Sequence, residues 1–193
     1  MQGLELTRCV LRQHPIAISI VMMAGLIVFF ILPPFTALCA LVLGWLMLVV
    51  SFVDYKHFII PDSISLPAIP LGLLVTFFLR DTTYSSTPIL DHLFASAAAA
   101  GFLWLVRVAY RKYRGVEGLG LGDVKLSAVA GAWTGFQGTT FVLVVACMAA
   151  LLYVFLLSLR HPHSVDRKTA IPLGTFLAPA IWLVWTIQSA HFA

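Results

Sequence analysis

Gly118-Leu119-Gly120-Leu121-Gly122-Asp123-Val124-Lys125 sets a carboxylate directly behind closely spaced glycines, at the point where a basic stretch runs back into an apolar one. A carboxylate is costly at a membrane boundary, so one kept there points to function. Glycines sharpen that inference, because without a Cβ they let another backbone approach the acid. An acid used in this way needs a partner. The candidate is Asp54, at the end of an earlier apolar run.

The composition makes a membrane boundary the right setting. Of 193 residues, 61% are hydrophobic and 10% charged, with mean hydropathy +0.98; soluble domains run at about 45–50% apolar and about 25% charged. The expected fold is all-α, a polytopic helical membrane protein embedded in the lipid bilayer. No polar stretch approaches the roughly 50 residues of a small soluble domain, so residues 1–193 form a single membrane-embedded domain. Cys9, Cys39 and Cys147 are scattered, with no Cys-x-x-Cys pair to suggest a zinc ribbon or a disulfide framework. The net charge of +4 lies beside apolar segments, where it sets topology; no nucleic-acid partner is expected. Arg8 and Arg12 ahead of the first apolar run superficially resemble a secretory signal. The run from 15 to 32 is too long for a signal core of roughly 7–15 residues, and no small-residue cleavage site follows, so it is expected to be a retained span.

A crossing helix needs about 20 apolar residues. About seven stretches approach that, at 15–32, 35–53, 63–79, 89–108, 124–136, 140–159 and 171–187. Pro33-Pro34 separates the first two as a tight hairpin. Residues 54–63 read as a short loop with two acids and a lysine, and Pro67, Pro70 and Gly72 predict a kink or an irregular first turn after it. Small residues from Ala95 to Gly101 suit close helix approach. Arg111, Lys112 and Arg114 are expected in a loop over 110–121. The 124–136 stretch, with Gly131 and Gly135, reads as a partial or tilted helix. With the N-terminus in the cytoplasm, every Lys and Arg except Arg80 falls on the cytoplasmic side, as the positive-inside rule requires. That topology puts Asp54 and Asp123 at one face, and Ala193 outside.

Two carboxylates at one depth in a low-dielectric pocket do not both ionise comfortably, so the pair shares a proton. The ionised member then acts as general base on water, while the protonated one donates to the carbonyl or leaving amine of a peptide. This is aspartic-protease chemistry, and it needs neither metal nor cofactor. Other sites fare worse. No Gly-x-Ser-x-Gly is present, His161, His163 and Asp166 read as a solvated loop rather than a metal site, and the glycine run lacks the Gly-Lys-Ser/Thr ending of a phosphate loop. Structural roles compete with the catalytic one. Asp123 and Asp62 are each candidate helix N-caps. Asp54 ends a helix, where the dipole opposes a negative charge, so its structural reading is the weaker. Lys125 is either an interfacial anchor that snorkels or a charge holding the field around Asp123. Tyr55 and His57 are placed at the interface.

Gly120-Leu121-Gly122-Asp123-Val124-Lys125, together with Asp54 and Ile60-Pro61-Asp62, resembles the type 4 prepilin peptidases, membrane aspartic proteases of the Gly-x-Gly-Asp class. The stretch Ile171-Pro172-Leu173-Gly174-Thr175-Phe176-Leu177-Ala178 is similar to that family's final-helix motif. The resemblance covers roughly residues 35–185. It implies cleavage of the basic leader of prepilins or pseudopilins at the cytoplasmic face of the inner membrane, in a type IV pilus or type II secretion system. Asp54 and Asp123 would be the catalytic pair, Gly120 and Gly122 would shape the loop, and Lys125, Pro61 and Asp62 would support the site. Glu117 and Asp62 flank the proposed site and would offset the basic loops toward a basic leader. Many members also methylate the new N-terminus through a domain inserted early in the chain. Here only Pro33-Pro34 stands between the first two spans, so a peptidase-only form is expected. The competing classes are a proton-coupled transporter, which the lack of a mid-span acid argues against, and a non-catalytic subunit of a pilus or secretion machine. Within the Gly-x-Gly-Asp class, signal-peptide-peptidase-like and preflagellin-type proteases are further alternatives.

Overall fold

The computed structural model describes residues 30–79, 88–116, 118–160 and 172–191. These residues form five helices: α1 (Pro34–His57), α2 (Asp62–Leu79), α3 (Pro88–Arg114), α4 (Leu121–Arg160) and α5 (Leu173–His191). All five are long and apolar enough to cross a membrane. The expected span at 15–32, apart from its last residues, lies outside the described residues, as do Glu117, His161, His163 and Asp166.

Helix ends follow the local chemistry, and in two places they differ from the sequence expectation. α1 opens on Pro34, whose missing N–H is not needed in the first turn. It runs past residue 53, so that Asp54 to His57 form its last turn rather than a loop. Lys56 and His57 suit the negative end of the helix dipole, and Phe58 closes the helix in the left-handed conformation (φ 54°, ψ 30°) with its N–H on the Asp54 carbonyl at 2.8 Å. The connection to α2 shrinks to residues 58–61. Likewise α3 continues to Arg114, which puts Arg111, Lys112 and Arg114 on a helix and not in a loop. Basic residues are favourable there, and Gly115 (φ 70°) terminates the helix with its N–H on the Arg111 carbonyl at 2.9 Å. α2 runs on through Pro67 and Pro70 as one helix, and at its start Pro61 O receives both Ile64 N–H at 3.2 Å and Ser65 N–H at 3.1 Å, a sharing common at helix termini.

α4 is a hairpin of two helical limbs, 121–134 and 136–160, joined at Gly135 (φ 66°, ψ −175°). Its neighbours along α5 establish the reversal. Asp123 faces the backbone of Gly174 at the start of α5, and Thr134 O accepts from Gln188 Nε2 near the end of α5 at 3.4 Å. Tyr153 is back beside Phe176, with ring centroids 5.5 Å apart. The backbone of Gly135 lies in a region open essentially to glycine alone, and Asp91 of α3 caps the returning limb by accepting Phe136 N–H at 3.2 Å. The first limb is the short helix expected at 124–136.

Two tryptophans lock the limbs and α5 to the first two helices by one device. Trp133 of α4 donates its indole N–H to Ala68 O at 2.8 Å and lies over Gly72; Trp182 of α5 donates to Ala40 O at 2.9 Å and lies over Gly44. In both cases an Ala-x-x-x-Gly pair opens a notch for the ring, and the carbonyl satisfies a donor that would otherwise be orphaned in an apolar interior. Trp133 meets Trp185 edge to face at 5.4 Å. The small residues expected to admit close approach on α3 do so, with Ser96 Oγ bonded to Ala128 O at 2.8 Å and Gly131 against the backbone of Ala95 and Ser96.

Gly135→Ala is expected to lower stability by about 1–3 kcal/mol, since the new Cβ would add to the backbone strain a contact 2.7 Å from Asp91 Oδ2. Thermal unfolding in detergent measures it, and an unchanged midpoint would show that the turn tolerates a side chain.

Candidate active site

The C-terminal end of α1 and the N-terminal ends of α2 and α4 meet around one cavity of about 470 Å³, with the start of α5 packed against Asp54. Asp54, Phe58 to Asp62, Gly120 to Asp123 and Lys125 line it. The structure thus brings together both predicted acids and all their predicted supporting residues except Glu117. Asp54 and Asp123 are buried, at 5% and 8% exposure, and are close enough to act on each other electrostatically.

Asp123 is held by its own helix. It lies in the first turn of α4, inside the N-cap position, and its Oδ2 reaches back to accept Gly120 N–H at 3.3 Å. This is the acid's half of a capping box, and the positive end of the helix favours it. Asp54 has no such help from α1, whose C-terminal carbonyls oppose a carboxylate. Its compensation comes from α5. Thr175, in the first turn of that helix, donates its N–H to Asp54 Oδ2 at 2.7 Å and lies with Oγ1 3.1 Å from the same oxygen. Pro172, just ahead of α5, has no side-chain oxygen to cap it, so Asp54 satisfies a first-turn N–H from another helix.

At Gly122 and Gly174 the room left by the missing Cβ is taken by a side chain and not by another backbone. A Cβ at Gly122 would lie 2.8 Å from Ile60 Cβ, and one at Gly174 would lie 2.7 Å from Ile60 Cδ1 and 2.8 Å from Asp54 Oδ2. What approaches both bare backbones is therefore Ile60, buried beside the acids. At Gly120 a Cβ would lie 3.3 Å from Asp123 Oδ2. Pro61 supplies the carbonyl that starts α2. Lys125 pairs with Asp62 at 2.6 Å, tying the first turn of α4 to that of α2. Both members are partly solvated, so the pair contributes at most about 1 kcal/mol. Phe58 and Ile59 stand exposed at the rim.

Sequence reasoning gave no role to Thr175, Ser51, Gly174 or Ile60. The stretch 171–178 was the signal for two of them. Their contribution is a backbone donor and the room left by a missing side chain, neither of which a residue type declares.

An all-helical chain with membrane-spanning helices and two buried aspartates on one cavity defines a class, and sequence comparison gives the family. The model of the type IV leader peptidase family matches residues 41–155, more than half of the chain, and the chain belongs to that family. Similar curated proteins include the prepilin leader peptidase/N-methyltransferases of Pseudomonas putida, 35% identical over 148 residues (76% of this chain and 49% of the relative), and of Pseudomonas aeruginosa, 36% identical over 151 residues (77% and 49%). That of Aeromonas salmonicida is 32% identical over 156 residues (79% and 51%). The chain spans about half the length of these relatives. No solved structure matches it.

Gly174→Ala is expected to cost about 1–3 kcal/mol through overpacking against Ile60 and Asp54. Gly101→Ala, whose Cβ would meet nothing within 4 Å, is the helical control and should be neutral or slightly stabilising. Equal melting temperatures for the two variants would contradict the seat described for Ile60.

Proposed function

We propose that this chain is an aspartic endopeptidase that removes the leader of type IV prepilins or pseudopilins, with Asp54 and Asp123 as the catalytic pair. The observation that carries the proposal is the convergence of two buried carboxylates from different helices on one cavity, in a member of the leader peptidase family. The names of the relatives join peptidase and methyltransferase; the proposal concerns the peptidase alone.

In this mechanism the pair holds one proton. The ionised carboxylate takes a proton from water as its oxygen attacks the scissile carbonyl, and the protonated one gives its proton to the carbonyl oxygen. The tetrahedral intermediate collapses as the C–N bond breaks: the leaving amine takes a proton from the acid charged in the first step, and the other aspartate takes back the proton of a gem-diol hydroxyl, so the pair again holds one proton. The bilayer topology we propose counts α1, α2, α3, the two limbs of α4, α5 and the apolar stretch 15–32 as seven passes, the first limb of α4 being a short one, with the N-terminus in the cytoplasm. Lys56, Lys125, Arg111, Lys112 and Arg114 near the aspartate end support a cytoplasmic active face in the inner membrane.

The test is cleavage of a prepilin-like substrate in membranes by the wild type and by Asp54→Asn and Asp123→Asn, each with and without a chelator. Either substitution is expected to reduce the rate at least about 10²–10⁴-fold, with no effect of chelation on the wild type. Activity retained in either variant would dissolve the pair; no cleavage by the wild type would favour a non-catalytic role.

A further inference from the structure

We infer that Thr175 is the positioning residue of Asp54, its N–H and hydroxyl both engaging Oδ2 so that Oδ1 is the oxygen left to meet water. The inference rests on the two-aspartate reading and adds to it an asymmetry that the pair of acids alone does not imply.

Both donors to Asp54 Oδ2 come from one residue, so the carboxylate is referred to a single mount. Here the mount is itself tied down. Ser51, three residues before Asp54 on α1, donates its hydroxyl to Thr175 O at 2.9 Å, and Thr175 Oγ1 lies 3.4 Å from Ser51 O. Thr175 and the last turns of α1 are thereby stitched at two points, with Asp54 between them and the end of the helix. The Thr175 hydroxyl has one proton to give. Its shorter approach is the carboxylate at 3.1 Å, and a bond to an ionised acceptor is the stronger choice. A β-branched side chain adds stiffness at χ1. Asp123, by contrast, takes the longer 3.3 Å bond from Gly120. The start of α5 meets both acids, but differently: Asp54 takes the N–H and hydroxyl of Thr175 on one oxygen, whereas Asp123 has only backbone partners, Gly120 before its own helix and Gly174 on α5.

The experiment compares Thr175→Val, which keeps the N–H and shape but removes the hydroxyl, with Thr175→Ser, which keeps both donors, and with Asp54→Asn. Leader cleavage is followed in membranes at varied substrate concentration. Loss of one hydrogen bond to a charged group predicts that kcat falls about ten- to hundredfold in Thr175→Val, with KM within about twofold and with recovery to within about threefold of wild type in Thr175→Ser. Wild-type kcat in Thr175→Val, a fall equal in Val and Ser, or an effect confined to KM would each overturn the inference. Should Thr175→Val fail to fold, as judged by its melting transition in detergent, Thr175→Ala against Thr175→Ser decides the same question. Full activity of Asp54→Asn would remove the two-aspartate reading itself, whereas an inactive Asp54→Asn beside an unaffected Thr175→Val would remove only the role of Thr175.

Discussion

The bond between the Asp54 carboxylate and the first turn of α5 is the interaction on which the cavity depends. A carboxylate in the last turn of α1 faces the wrong end of its own helix dipole, and burial denies it water. The opening turn of α5 has the opposite deficiency, backbone N–H groups with no partner behind a proline that supplies no cap. Each corrects the other. Because the two ends lie 121 residues apart in the chain, this correction also fixes where the last helix docks. The position of Gly174, and with it the seat of Ile60, follows from that docking.

The second constraint is the reversal in α4. The first limb of 14 residues, 121–134, extends about 21 Å at 1.5 Å per residue, short of a roughly 30 Å hydrocarbon core. A limb so short is positioned by its neighbours rather than by the bilayer. Trp133 anchors its far end in the notch of α2, and Gly135 with Asp91 turns the chain back. Asp123 at the near end is then set by helix packing from the tryptophan side, and Gly120 N–H steadies its carboxylate from the loop.

Much of this was legible in the sequence and some of it was not, for physical reasons. The two acids, the Ile-Pro-Asp turn and the small-residue face of α3 are residue types at telling positions, and they are where the sequence puts them. The end of α1 was drawn too early because Asp54-Tyr55-Lys56-His57 is polar and reads as loop. A polar last turn emerging from an apolar helix has the same composition. α3 was shortened at its basic end for the same reason. The two limbs of α4 were legible as the separate stretches 124–136 and 140–159, though neither carries a periodic signal, since both are apolar nearly all round. For Lys125 the sequence left two roles open and did not point to its ion-pair partner, Asp62, which is 63 residues away. Thr175 stayed silent because its clearest contribution is an N–H, which every residue but proline owns.

The arrangement has a common logic that goes beyond any single contact. Two helices begin in the lining of the cavity, α2 at Asp62 and α4 at Leu121, and a third, α5, begins at Leu173 against Asp54. Two buried carboxylates are bonded at such beginnings, Asp123 to Gly120 N–H ahead of α4 and Asp54 to Thr175 N–H in α5, while the exposed Asp62 in the first turn of α2 pairs with Lys125. In a bilayer, unpartnered N–H groups and buried negative charges are each expensive. Pairing them removes both penalties at once and needs no lysine or arginine within the cavity's depth, with Lys125 kept at the partly solvated edge on Asp62. Helix dipoles and backbone donors are fixed in direction, so they hold acids in place without claiming the proton that a basic side chain would compete for. A site built from helix beginnings is thus suited to carboxylate chemistry in lipid, and it accounts for why the acids sit at helix ends rather than in mid-span.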